Sequence, residues 1–274
     1  MKVAVIQLCS GTEIAANIEA CSEWVRAAAA QGAELIVTPE MTHLLQKDKA
    51  SLLASIKSPE EDLAIKAFSA LAKELDIDLL IGSLALQTGQ KVSNRGYLFG
   101  PDGSTKAQYD KIHLFDAQVS DTEYYRESAT YAAGRDPVIA SAGDAKVGLS
   151  VCYDVRFPML YRYYAQNGAQ ILSIPAAFTV PTGRAHWDIL LRARAIETGS
   201  FVMAAAQGGE HEDGRKTYGH SKIINPWGDI VAELAHDKPG FVCADIDLGE
   251  VAKARQRIPA WSDRRDFKAD IKDT

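Results

Sequence analysis

Long apolar runs are missing from this chain. Nowhere in its 274 residues does an apolar stretch approach the ~20 residues that a membrane-spanning helix requires. The first apolar run, Val3–Leu8, turns polar too soon for the core of a secretion signal. Cysteine is also scarce: there are four, with no CxxC spacing and no dense pattern, which argues against a disulfide framework and for reduced thiols in a cytosol-like compartment. No basic block and no Arg/Lys stripe interleaved with aromatics occurs, and 30 basic against 36 acidic residues leave a net charge of −6. That balance speaks against nucleic-acid or anionic-membrane partners. Internal repeats, low-complexity tracts and Pro/Ser linkers are absent as well. The expectation is a cytoplasmic protein with a single domain over residues 1–265 and a charged tail over 266–274, which either packs on a partner subunit or is disordered.

What is present is an alternation of apolar strand-like runs and helical patterns. Val3–Leu8 reads as a first strand and Thr12–Gln31 as a helix, with Gly32 near its stop. Glu34–Thr38 is the next strand, and a helical stretch over Pro59–Leu75 leads to a strand over Asp78–Leu84. Gly96–Phe99 and Ser104–Tyr109 flank Pro101-Asp102-Gly103, a hairpin signal. Further along come a strand over Lys146–Cys152, helices near Leu160–Asn167 and over His186–Thr198, and strands over Ile171–Pro175, Phe201–Ala206 and Phe241–Ile246. A second hairpin turns at Pro226-Trp227-Gly228-Asp229. Many strands are apolar on both faces, which fits mixed sheets covered by helices on one side and by another sheet on the other.

Three of these strands run into reactive groups: Glu40 after Leu35–Pro39, Lys111 after Tyr109-Asp110, and Cys152 after Val147–Val151. Strand ends of α/β domains converge on one rim, where ligands bind. Each group alone is ordinary: a solvated acid, a surface lysine, a small core thiol. Cys9, Cys21 and Cys243 are read as such core thiols. Together the three supply what thiol-based acyl transfer needs, namely a base, a cation that favours thiolate and oxyanion, and the nucleophile. His113, His186 and His220 lack paired ligand spacing, so no metal site is expected.

Pro39-Glu40-Met41, Tyr109-Asp110-Lys111-Ile112-His113-Leu114-Phe115-Asp116 and Cys152-Tyr153-Asp154-Val155-Arg156-Phe157-Pro158 occur in the order and context of the nitrilase (carbon–nitrogen hydrolase) superfamily, which the chain resembles from residue 1 to about 265. The resemblance implies an α/β fold, an α-β-β-α sandwich with mixed sheets that dimerises through a helix layer into a four-layer body, with higher homo-oligomers common. It implies a Glu40–Lys111–Cys152 triad, with Glu127 matching a second glutamate that positions the lysine and substrate; the rival for Glu127 is an exposed loop acid. The implied reaction is hydrolysis of a small-molecule linear amide through a Cys152 thioester, with Lys111 and the Tyr153 N–H holding the oxyanion, and with no metal or organic cofactor.

Within the superfamily, Phe178–Trp187 resembles the pocket loop of the small-amidase branch. Ala204–His211, Tyr218–Ser221 and Asn225–Gly228 are similar to the branch that splits deaminated glutathione, an α-ketoglutaramyl-Cys-Gly compound, into 2-oxoglutarate and Cys-Gly. The alternatives are an ω-amidase acting on 2-oxoglutaramate and, in another class, a non-catalytic interaction protein of the same fold. A substrate with a carboxylate at each end calls for cationic and hydroxyl donors at both ends of a cleft. Arg156 is the candidate for the 2-oxo acid carboxylate, since a guanidinium grips carboxylate bidentately, with a salt bridge to Asp154 as its rival role. Tyr153, Phe178 and Thr179 complete the candidate substrate-binding set. Arg184 departs from relatives that carry proline or an acid there, and either alters the pocket or faces solvent.

Overall fold

A computed structural model describes residues 1–119, 123–263 and 265; the expected tail over 266–274 lies outside the described residues. The first sheet has the strand order Gly240–Asp245, Lys2–Gln7, Leu35–Val37, Asp78–Thr88, Lys91–Phe99, Thr105–Asp110, with Tyr131–Ala132 paired beside Lys91–Phe99. The second runs Ile230–Glu233, Lys222–Ile224, Phe201–Ala204, Ile171–Ser173, Ala145–Leu149, Val138–Ala142. In each, three central strands are parallel and the outer pairings antiparallel, except that Tyr131–Ala132 runs parallel to Lys91–Phe99.

Alternation along the strands decides the layering. Val3, Val5, Leu35, Val37 and Leu80 share one core with Val147, Leu149, Ile171 and Ile223 of the other sheet. The intervening Ala4, Ile6, Ile36, Leu79 and Ile81 pack instead with Cys21, Val25, Ala28, Phe68 and Leu71 of the helices Ile14–Ala30 and Leu63–Leu75. Helices Pro158–Gln166 and Val180–Thr198 add Tyr161, Tyr164, Trp187 and Leu191 to the core of the second sheet. Each such large apolar side chain contributes about 1.5–3 kcal/mol by leaving water. The result is an α-β-β-α sandwich.

Boundaries differ from the expected ones where a cap decides them. The helix expected from Pro59 starts at Leu63, because Asp62 accepts the Ile65 N–H at 3.0 Å. The helix expected from His186 starts at Val180, with Thr179 as its N-cap and Pro181 in its first turn, where a missing N–H costs nothing. The strand expected from Gly96 begins at Lys91.

Candidate active site

Glu40 leaves the first sheet through a turn gripped by its neighbour strand. The pairing of Asp78–Thr88 with Lys91–Phe99 is irregular between Ile81 and Leu84. There the Gly82 N–H donates to Thr38 Oγ1 at 3.1 Å, Ser83 Oγ accepts the Met41 N–H at 3.0 Å, and the Ser83 carbonyl accepts the Thr42 N–H at 2.9 Å. Met41 takes φ +54°, which closes the turn. Gln207, wholly buried, donates to the Glu40 carbonyl at 3.0 Å.

Lys111 follows the strand Thr105–Asp110 and is pinned by its backbone: its N–H donates to the Asn94 carbonyl at 3.0 Å, and its own carbonyl accepts from Gly134 at 2.8 Å. Its ammonium lies 2.8 Å from Glu40 Oε1 and 3.1 and 2.9 Å from the two oxygens of Glu127. Glu127, at the start of a short 3₁₀ turn, also accepts the Phe115 N–H at 2.6 Å. The Asn94 amide donates to Glu40 at 2.9 Å and to Glu127 at 3.2 Å, bridging the two acids. The Ala177 N–H holds the second Glu40 oxygen at 3.0 Å.

Cys152 opens a 3₁₀ turn three residues past the end of the strand Ala145–Leu149, at φ +52°. A side chain held in the left-handed region costs on the order of 1–3 kcal/mol and marks a sharp, over-determined turn. The Cys152 N–H donates to the Pro175 carbonyl at 2.8 Å, and the Tyr153 N–H has no partner among the described residues. Asp154, wholly buried, ties this turn down: it accepts the Val151 N–H at 2.8 Å, the Tyr109 hydroxyl at 2.7 Å and the His113 N–H at 3.0 Å.

The electrostatics follow from burial and pairing. Burial pushes the Glu40 carboxyl up, but the Lys111 charge and the hydrogen bonds from Lys111, Cys152 and Asn94 outweigh it and hold Glu40 below its ordinary value. Burial also works against the Lys111 ammonium, and the charges of Glu127 and Glu40 overcome it, raising Lys111 well above the ordinary lysine value. Burial, then the Glu40 charge, pushes the Cys152 thiol well above its ordinary value despite Lys111. The resting arrangement is therefore a protonated thiol beside an ionised carboxylate.

Glu40, Lys111, Glu127, Cys152 and Thr179 line one cavity of about 800 Å³. Tyr153, Arg156 and Phe178 lie outside its lining. The Arg156 guanidinium stands over the Phe178 ring at 5.3 Å and the Tyr153 ring at 5.8 Å, and 3.4 Å from His186 Nδ1. It does not form the salt bridge with Asp154, whose carboxylate is occupied by Tyr109, His113 and Val151. Sequence reasoning missed Asn94 and Gln207. A polar Ser93-Asn94 pair inside a buried strand was the available signal for the first; nothing local marks the second.

The carbon-nitrogen hydrolase family model matches residues 2–256, and the chain belongs to that family. It is a carbon–nitrogen hydrolase acting on amides. The deaminated glutathione amidase of Synechocystis sp. is 40% identical over 269 residues, covering 95% of this chain and 97% of that protein. Human omega-amidase NIT2 is 36% identical over 264 residues, covering 96% and 95%. Among solved structures, the C. elegans NitFhit protein superposes with a TM-score of 0.88 at 34% identity, over 96% of this chain and 65% of that one. A mutant amidase from Nesterenkonia sp. AN1, in which acrylamide has added to the active-site cysteine, superposes with a TM-score of 0.79 at 26% identity, over 94% and 98%.

Proposed function

We propose that the chain hydrolyses deaminated glutathione through a thioester on Cys152. The observation that carries this is the convergence of Glu40, Lys111 and Cys152 on one cavity, with the Lys111 ammonium held between Glu40 and Glu127. Glu40 takes the thiol proton as the sulfur forms a bond to the amide carbonyl carbon. Lys111 and the Tyr153 N–H bind the oxyanion of the tetrahedral intermediate. Its collapse breaks the C–N bond, and Glu40 returns the proton to the departing amine of Cys-Gly. Water, deprotonated by Glu40, then attacks the thioester, 2-oxoglutarate leaves, and the proton returns to the sulfur. Glu127 positions Lys111.

Thr179, on the cavity wall, is proposed to shape the acyl pocket, whereas Arg156, expected to take the 2-oxo acid carboxylate, stacks with Tyr153 and Phe178 outside the lining and is proposed to brace the Cys152 turn. The likeness to deaminated glutathione amidase supports this substrate over 2-oxoglutaramate, the ω-amidase substrate. Residues 1–265 act as one catalytic domain. The four unpaired cysteines suit the cytoplasm. Met159, Tyr163, Ile189 and Ile196, exposed on the helices over the second sheet, suit a homodimer face.

Acid-quenched turnover of deaminated glutathione followed by mass spectrometry tests the reading. A 2-oxoglutaryl adduct on Cys152, and no adduct or turnover in Cys152→Ala, is expected. Turnover surviving in Cys152→Ala overturns the mechanism, and a higher kcat/KM on 2-oxoglutaramate overturns the substrate.

A further inference from the structure

One wall of the cavity is formed in part by a small hairpin, Gly208–Glu210 paired with Lys216–Tyr218. Its base is rigid. His211 is buried, with Nδ1 2.9 Å from the Ser10 carbonyl and Nε2 2.7 Å from Thr217 Oγ1, and its N–H donates to the Arg215 carbonyl at 2.8 Å. At the turn, Asp213 accepts the Arg215 backbone N–H at 2.9 Å and its Nε at 2.7 Å. The Asp213 side chain is only 2% exposed, so this is a fixed brace and not a loose surface pair. It occupies one edge of the guanidinium. The two terminal nitrogens of Arg215 carry no hydrogen bond among the described residues, and the residue lines the cavity that also holds Cys152.

Tyr131, whose hydroxyl lies 4.0 Å from Met41 Sδ, lines the same cavity as Arg215. Glu123, another acid of the same wall, accepts the Tyr125 hydroxyl at 2.5 Å. We infer that Arg215 is a specificity-determining residue, whose braced guanidinium binds the carboxylate at the leaving-group end of the substrate. This rests on the deaminated glutathione reading. The acyl half stays on Cys152 after the first step, whereas the amine half must exit. A carboxylate receptor on a hairpin whose turn carries exposed Gly214 and Lys216 is placed for the half that exits. A cavity of about 800 Å³ has room for both halves, and a free primary amide leaves this end unfilled.

The full chain is assayed on deaminated glutathione, on the same compound with its glycine carboxylate converted to a carboxamide, and on 2-oxoglutaramate. Blocking the carboxylate is expected to lower the wild-type kcat/KM about 10-fold or more, the loss of a charge-assisted contact. In Arg215→Ala the same block costs nothing further, Arg215→Lys is intermediate, and 2-oxoglutaramate turnover changes less than about threefold, because only the remote contact is lost. A wild-type enzyme indifferent to the block overturns the assignment without relying on any variant. So does an Arg215→Ala enzyme that loses activity equally on all three substrates. Failure of the wild type on deaminated glutathione itself overturns the underlying substrate reading as well.

Discussion

Asp154 holds His113 twice: its Oδ1 accepts the His113 backbone N–H at 3.0 Å and lies 2.7 Å from the ring Nδ1. With the Tyr109 hydroxyl and the Val151 N–H on its other oxygen, one buried carboxylate joins the segment around Lys111 to the strained turn at Cys152. The lysine and the cysteine are thus held in register by a residue that belongs to neither position.

Removing that joint orphans several buried donors, each worth about 1–3 kcal/mol. Asp154→Ala is expected to lower stability by about 3 kcal/mol or more and to depress kcat. Urea unfolding monitored by tryptophan fluorescence measures the first, and an unchanged midpoint would refute the bracing role.

Asn94 donates to both active-site carboxylates. Asn94→Ala should lower kcat about 10-fold, the value of about one charge-assisted hydrogen bond, while KM stays near wild type. Asn94→Asp places a further negative charge against Glu40 and so raises its affinity for a proton. The acid limb of kcat/KM therefore moves to higher pH in that variant, and a limb that stays put contradicts the contact.

In the wild type, Glu40 titrates below its ordinary value of 4.5 and Cys152 above its ordinary value of 9.0. The active pairing of carboxylate and thiol persists between those limits. A plot of kcat/KM is expected to be flat from about pH 5 to about pH 9, and a bell centred inside that interval would disprove the resting state described.

His43 is wholly buried, and burial pushes its imidazole down to about 4 against the pull of Asp62, 3.8 Å away. The unfolded chain gains a proton near 6.5 that the folded chain refuses until about 4. Stability is thus full above 6.5 and falls as pH drops through that window, by about 3 kcal/mol in total. Comparing urea midpoints at pH 7 and pH 5 for wild type and His43→Asn checks this: the variant should lose most of the slope.

Gly82 sits where the two halves of the site meet. A Cβ there would run into the carbonyls of Thr38 and Pro39 and the ring of Pro175, whose own carbonyl holds the Cys152 N–H. Gly82→Ala is expected to push Glu40 and Cys152 apart and to cut kcat by about 100-fold, as misplacement of about 1 Å does. Full activity in that variant would show the contact to be slack.

The reactive trio was legible because each member ends a strand-like run, and strand ends share a rim. The layers were legible for a related reason, since Val3, Val5 and Ala4, Ile6 are apolar on both faces. What stayed hidden depends on distant pairing. Asn94 lies in the part of its strand, Lys91–Arg95, whose polar Ser93-Asn94-Arg95 masks the alternation. The hairpin carrying Arg215 has three-residue strands with little apolar content, so no period announces it. Helix Val180–Thr198 opens with Val-Pro-Thr-Gly, which reads as a loop until Thr179 is seen to cap it. Arg156 and Asp154 are neighbours in sequence, yet the 3₁₀ turn sends one to the Tyr109–His113 network and the other over Phe178.

The buried ion cluster also bears on how a turnover ends. Two carboxylates share one ammonium, so the floor of the cavity carries one uncompensated negative charge, while Lys47, Lys49, Arg126 and Lys216 stand exposed along the rim. An amide is neutral when it reaches that floor. Hydrolysis of the thioester leaves a carboxylate beside Glu40 and Glu127, with the basic rim favouring its passage outward. The acid produced is therefore expected to bind more weakly than the amide, a product-inhibition constant well above KM being the result that checks it.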